Sequence, residues 1–397
     1  MRSSLWRLPG MRPLVVMTVA GFSGYAVLLP VAPLWAVHGG AGTGGAGLVN
    51  GVLLLSTVLT QLLVPAALRR FGWGPVLTAG MGLLGVPAAL YVVSDALGPV
   101  LALSALRGVG FGVLTVTGSA AAAALVGTAR RGEAIGVYGL AVALPNLVLL
   151  PAGPWVADHV GFWVVFLLSA LPLCGIPAAL RLADELHGGF PELVHRTGDT
   201  TVRTEDPQGA AYLRLLRPTA LLTSVTVAGG AALTFVPQMA DDELLAAAGL
   251  FVMGLVSALG RWRVGRLADR YGVQRFLWPL TVVTVVGAGL LAWSVLDPDD
   301  TDAGLFLAGL VVLGLSYGSL QNLTLVAAFS VVSRRHHNLA SAVWNVGFDA
   351  GTGLGSVVVG VTAQETSFSA AFLVVAALAV AVLPLAVMPP RGSPRAE

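Results

Sequence analysis

The chain has 397 residues, 56% apolar and only 11% charged, with a mean hydropathy of +0.84. Ordinary soluble domains are ~45–50% apolar and ~25% charged, so the composition excludes a cytosolic enzyme, a nucleic-acid binder and a disordered chain, and points to a helical membrane protein. All 22 basic residues are Arg, which removes lysine Schiff-base chemistry and a P-loop lysine, and the lone Cys174 removes a disulfide framework and a cysteine-based zinc site.

A membrane-crossing helix needs ~20 mainly apolar residues. Twelve such runs follow one another, at about 13–37, 47–68, 75–94, 99–126, 134–156, 163–182, 218–239, 244–262, 276–296, 303–332, 339–363 and 368–388. The first follows a basic leader (Arg2, Arg7, Arg12) but is too long for a signal-peptide core, so it reads as a span. With both termini in the cytoplasm, 21 of the 22 Arg fall at or beside the inside segments. The outside loops carry acids instead: Asp95, Asp158, Asp241, Asp242, Glu243, Asp297, Asp299, Asp300, Asp302 and Glu365. That is the positive-inside pattern. It predicts a multi-pass protein of the cell inner (plasma) membrane, and it explains the basic balance without a nucleic-acid partner.

The longest polar stretch, 183–217, reads as a cytoplasmic linker between six-helix bundles at 1–182 and 218–397. The halves repeat each other. An offset of 206 carries Gly108, Phe111 and Gly112 onto Gly314, Tyr317 and Gly318, Tyr138 onto Trp344, Phe162 onto Phe368, and Phe166 onto Phe372. An offset of 200 carries Arg70-Phe71-Gly72 onto Arg270-Tyr271-Gly272. Paired six-span halves with a midplane site between them are an architecture of secondary transporters.

The segment Gly265-Arg-Leu-Ala-Asp269-Arg270-Tyr-Gly272 resembles the signature cytoplasmic loop of the major facilitator superfamily, and the resemblance extends over nearly the whole chain. It implies an all-α fold of twelve transmembrane helices in two pseudo-symmetric bundles, working without a cofactor and not as an enzyme. In that family the loop latches one conformation. Here Gly272 allows a tight turn, and Asp269 suits a neighbouring helix N-terminus, with the start of span five near Gly132 and Glu133 as the expected partner. The first-half counterpart keeps Arg70 and Gly72 but carries Arg69 where the family usually has Asp.

Arg107-Gly-Val-Gly-Phe-Gly112 is similar to the fourth-helix arginine motif of proton-coupled members. An intramembrane Arg is a functional candidate, or it snorkels to water from near the outer end. Gly139, Pro145, Gly153 and Pro154 partly match the fifth-helix Gly/Pro motif of exporters, with bending and close packing between the halves as the expected use.

Asp349 is the one carboxylate deep within a span, and Asn345 shares its helix face. A carboxyl group in an apolar surround can load a proton near neutral pH, so Asp349 and Arg107 are the proton-coupling candidates. The structural alternative is that Asp349 hydrogen-bonds across the interface between halves. Polar side chains in the spans are few: Tyr25, Asn50, Gln61, Thr115, Thr117, Asn146, Gln238, Gln321, Asn322 and Asn345. The resemblance makes spans one, four, seven and ten line the cavity, which favours Tyr25, Thr115, Thr117, Gln321 and Asn322. His336 and His337 are adjacent and do not face one ligand point, so no metal centre is expected there.

A largely apolar pocket suits a lipophilic or amphipathic compound better than a phosphate. The expected function is proton-coupled efflux of a small organic substrate by alternating access, as in bacterial drug or metabolite:proton antiporters, by a monomer in the lipid bilayer. The alternatives are an importer or uniporter of a sugar or other nutrient and, from other classes, a membrane-embedded enzyme or a non-transporting receptor.

Overall fold

The computed structural model describes residues 8–126, 131–187, 208–240, 242–297, 300–333 and 336–388. Among them twelve helices are long and apolar enough to cross a membrane: α1 (Met11–His38), α2 (Thr43–Phe71), α3 (Trp73–Val93), α4 (Leu97–Ala122), α5 (Gly136–His159), α6 (Phe162–Leu186), α7 (Gly209–Met239), α8 (Glu243–Tyr271), α9 (Gln274–Ser294), α10 (Ala303–Ser330), α11 (Leu339–Glu365) and α12 (Phe368–Val387). The expectation of twelve spans holds, run for run. Most of the 183–217 stretch lies outside the described residues, with helix continuing to Leu186 on one side and resuming by Gly209 on the other.

Proline marks the irregular points. A turn at Leu29–Pro30 interrupts α1, and Pro172 sits in the 3-10 turn Leu171–Gly175 inside α6. By contrast α5 passes Pro145, Pro151 and Pro154 as one helix.

Helices α2 and α8 are longer than their apolar runs. The Gly265–Arg270 segment, expected as a loop, forms the last turns of α8, and only Gly272 turns the chain. Arg sustains a helix well, and so the ladder runs on until a glycine can end it. Gly272 (φ 84°) and Gly72 (φ 77°) both cap in positive-φ backbone that other residues rarely adopt. Each donates its N–H back four residues, to Ala268 O at 2.8 Å and to Leu68 O at 3.0 Å. Beside each cap a guanidinium lies over an aromatic ring at the same 5.3 Å: Arg270 over Tyr271 and Arg70 over Phe71.

Packing repeats the symmetry. In the first half, Gly108 and Gly112 of α4 abut the carbonyls of Leu53 and Thr57 on α2. In the second half, Gly314 and Gly318 of α10 abut the carbonyls of Met253 and Ser257 on α8. A side chain at any of these four sites would collide with backbone. Gly318→Val should therefore cost about 1–3 kcal/mol by overpacking, read as a lower thermal midpoint in detergent. Gly139→Val, with open space at its Cβ position, should leave the midpoint within about 0.5 kcal/mol of wild type.

Between the halves, α2 packs on α11 and α5 on α8. From the acidic end inward, Gly44 N–H donates to Gln364 Oε1 (2.9 Å), Asn50 Nδ2 to Thr234 Oγ1 (3.0 Å) and Gln61 Nε2 to Asp349 Oδ2 (2.6 Å). The halves are joined from the acidic end to the middle, while Arg261, Arg263, Arg266, Asp269 and Arg270 at the other end are exposed.

Candidate functional site

Five helices bring the central side chains together. Asp349 of α11 is buried, 5% exposed, and its carboxylate accepts from Gln61 Nε2 of α2. The same Gln61 nitrogen lies 3.2 Å from Thr115 Oγ1 on α4, and Thr115 Oγ1 also donates to Gly112 O. Gln61 Oε1 is buried without a partner among the described residues. A carboxylate is thus held by one neutral donor across the seam, a short charge-assisted bond when Asp349 is ionised.

Tyr25 of α1 stacks on Phe111 of α4, with centroids 3.7 Å apart and planes within 2°. Asp349, Tyr317 and Arg107 all lie within electrostatic reach of its hydroxyl. From the second half, Phe348 stacks on Trp344 at 5.7 Å and lies 6.4 Å from Tyr317. Trp344 in turn donates to Thr324 Oγ1 at 3.1 Å. The centre is a cluster of aromatic rings with one acid beside it. Phe111 and Tyr317 are repeat-related, which is the signal that could have promoted them from packing residues to candidates.

Arg107 is fully buried. It does not snorkel to the outer end, because it points into its own bundle. Its Nη2 reaches Gly24 O at 3.4 Å and its guanidinium carbon lies 5.7 Å from the Tyr91 ring centroid. Among the described residues, Nε and Nη1 have no hydrogen-bond partner. A charged group in that state is costly.

The remaining candidates divide. Gln321 is buried, accepts from Arg261 Nη2 and leaves its own Nε2 without a partner. Asn322 donates to the Arg261 carbonyl at 3.0 Å. Both thus gather around Arg261, which sequence reasoning assigned only to the basic end. Thr117 is buried and bonded to Val113 O of its own helix, and Asn345 to Ser341 O of its own. Asn146 likewise bonds Val142 O. These three satisfy local backbone and are not drawn into the cluster around Asp349. In the Gly/Pro motif, Gly153 abuts the Val27 carbonyl of α1 within its own half, and Gly139 touches nothing. Against the other half, α5 places Leu147 near Gly254 of α8. At the latch segment, Gly265 faces the Asn322 amide, and the Gly132 and Glu133 side chains lie outside the described residues.

Twelve helices in two equivalent bundles, with a buried acid bridging them at mid-depth, define a secondary transporter of the paired-bundle class. The sequence profile of the Major Facilitator Superfamily matches residues 14–323 and 264–397, and the chain belongs to that family. It is a multi-pass membrane protein that moves small-molecule substrates by alternating access, and is a transporter rather than an enzyme.

Solved structures with the same fold include a bacterial homolog of the human lysosomal transporter Spinster in an inward-facing, unoccupied conformation (TM-score 0.74, 12% identity, 97% of each chain). A POT family transporter in complex with 5-aminolevulinic acid aligns at TM-score 0.75 and 12% identity, over 95% of each chain. A mutant of the nucleoside transporter NupG aligns at TM-score 0.72 and 11% identity, over 95% of this chain and 98% of that one. Among curated proteins, none matches the sequence.

Proposed function

We propose that the protein exports a small lipophilic or amphipathic organic compound in exchange for protons. The observation that carries this reading is the Gln61–Asp349 contact, 2.6 Å across the seam between halves. A carboxyl group there changes charge on proton loading, and its partner belongs to the opposite bundle, so loading can bias how the bundles rock. The aromatic cluster of Tyr25, Phe111, Tyr317, Trp344 and Phe348 favours an apolar or flat substrate. The Arg-rich end is placed in the cytoplasm of a cell inner membrane by the positive-inside rule. Both termini and the 183–217 linker then lie inside, and closure at the acidic end corresponds to an inward-facing state of a monomer.

The test begins with a thermal-shift screen of lipophilic compounds, since a ligand of the folded state raises apparent stability. Hits are then assayed for flux in proteoliposomes with an imposed pH gradient. Uphill substrate movement against the proton gradient, collapsed by a protonophore, is the expected result. Uphill movement in the same direction as protons, or flux indifferent to the gradient, would overturn the reading.

The Asp269 latch adds a narrower expectation. Asp269 is exposed at the Arg-rich end, as suits a latch that engages only when that end closes. Asp269→Asn should slow transport and raise the reactivity of cysteines introduced on the inner cavity wall. Unchanged reactivity on both faces removes the latch.

A further inference from the structure

At the acidic end, the last turn of α5 meets the first turn of α8. Asp158 and His159 close α5 and Glu243 opens α8, and one ligand atom from each lies within 4.8 Å of the others. Adjacent residues on a regular helix point about 100° apart, but α5 ends at His159, and Gly161 then reverses the chain at φ 122°. His159 Nδ1 and Asp158 Oδ2 are thereby 3.7 Å apart. Ligands of a tetrahedral zinc ion at about 2.0–2.2 Å are separated by about 3.3–3.6 Å, so three ligand atoms already within 4.8 Å of one another reach coordinating spacing by small side-chain rotations.

Two further observations favour a cation. The imidazole is oriented from outside the cluster: its Nδ1 lies 3.1 Å from the Trp155 carbonyl and its ring stacks on Trp155 at 4.6 Å. A carbonyl that holds one ring nitrogen as donor leaves the other free to ligate. Neither acid meets an arginine in an ion pair among the described residues. Closing the seam therefore brings two carboxylates together with no cationic side chain but the imidazole itself. The sequence hides the site because its residues belong to different halves.

We propose that Asp158, His159 and Glu243 form a divalent transition-metal site that clamps the two halves together at the outer end. An imidazole among the donors selects zinc-like ions over calcium or magnesium. Water completes the coordination of this exposed site. Because the ligands come from both bundles, occupancy favours the state closed at that end and slows the transport cycle.

The experiment uses purified full-length protein and Zn2+ alone, by titration calorimetry, and needs no knowledge of the substrate. Wild type should bind one ion, and His159→Ala and Glu243→Gln should each weaken binding by about tenfold or more. His337→Ala, a histidine at the opposite end of the molecule, should bind as wild type does. In a Cys174→Ser background, spin labels at Trp163→Cys and Leu244→Cys should show a distance distribution that Zn2+ narrows, and Ca2+ does not. His159→Ala should remove the narrowing. Unaltered Zn2+ affinity in both ligand variants, or a distribution indifferent to Zn2+, would overturn the site. A failure here leaves the proton-exchange reading untouched, since none of the three residues touches Asp349.

Discussion

Asp349→Asn should abolish uphill transport driven by a pH gradient while sparing substrate exchange between equal pools. The amide is nearly isosteric with a protonated carboxyl, and its oxygen can still accept from Gln61 Nε2, which now reaches the carboxylate at 2.6 Å. Binding of a neutral substrate therefore survives. What is lost is the ability of that position to gain and release a charge. The competing account is that Asp349 serves only as one half of a structural hydrogen bond between the bundles. The two accounts predict opposite outcomes for the pair of variants. If the bond is structural, Asp349→Asn is tolerated and Gln61→Ala, which removes the donor, costs about 1–3 kcal/mol of stability. If Asp349 carries the coupled proton, the order reverses for function: Gln61→Ala retains some gradient-driven flux and Asp349→Asn retains none. Flux in proteoliposomes with and without an imposed gradient reads the difference directly. Full gradient-driven activity in Asp349→Asn would sink the proton-site assignment.

The fold was legible because two coarse physical signals agree. Apolar length fixes the number of spans, and the placement of Arg against Asp and Glu fixes which ends share a side. The glycines of α4 and α10 added the duplication, since a glycine that must meet a carbonyl on a neighbouring helix recurs wherever that contact recurs. What the pattern could not supply was the partner of each polar side chain. Thr117 and Asn345 look like Thr115 and Asn322 in sequence, yet the first two bond their own helix and the last two reach another. Helix rotation decides this, and in spans this apolar the hydrophobic periodicity that would reveal rotation is nearly absent. Charge runs misled in one place: the basic segment after Trp262 read as a loop, whereas Arg side chains extend α8 to Tyr271. The Gly/Pro pattern of α5 misled in another, because Gly153 serves the α1 contact rather than the seam.

Arg107→Leu should separate stability from function. The guanidinium is fully buried, holds one long bond to Gly24 O, and leaves Nε and Nη1 without partners. Replacing such a charge by an apolar side chain removes unsatisfied donors from a buried site. Replacing a whole buried ion pair by apolar residues is often neutral or stabilising by about 1–4 kcal/mol, and among the described residues Arg107 has no carboxylate partner to strand. A residue kept only for packing would therefore be replaced at no loss, and the thermal midpoint of the variant should be unchanged or raised. Transport should nevertheless fall to background. Arg107 is a fixed positive charge within electrostatic reach of Tyr25, which also senses Asp349. Both side chains act on Tyr25, the cation in every state and Asp349 only when it is ionised. Removing the cation leaves Tyr25 facing the ionised acid with no opposing charge, so the cycle stalls on one side of the proton exchange. Arg107→Lys keeps the charge on a shorter reach to the Gly24 carbonyl and should recover part of the flux. Paired measurements of midpoint and flux decide the matter: a variant that loses stability and transport in proportion would show Arg107 to be structural, and a stable Arg107→Leu with full transport would remove it from the coupling machinery.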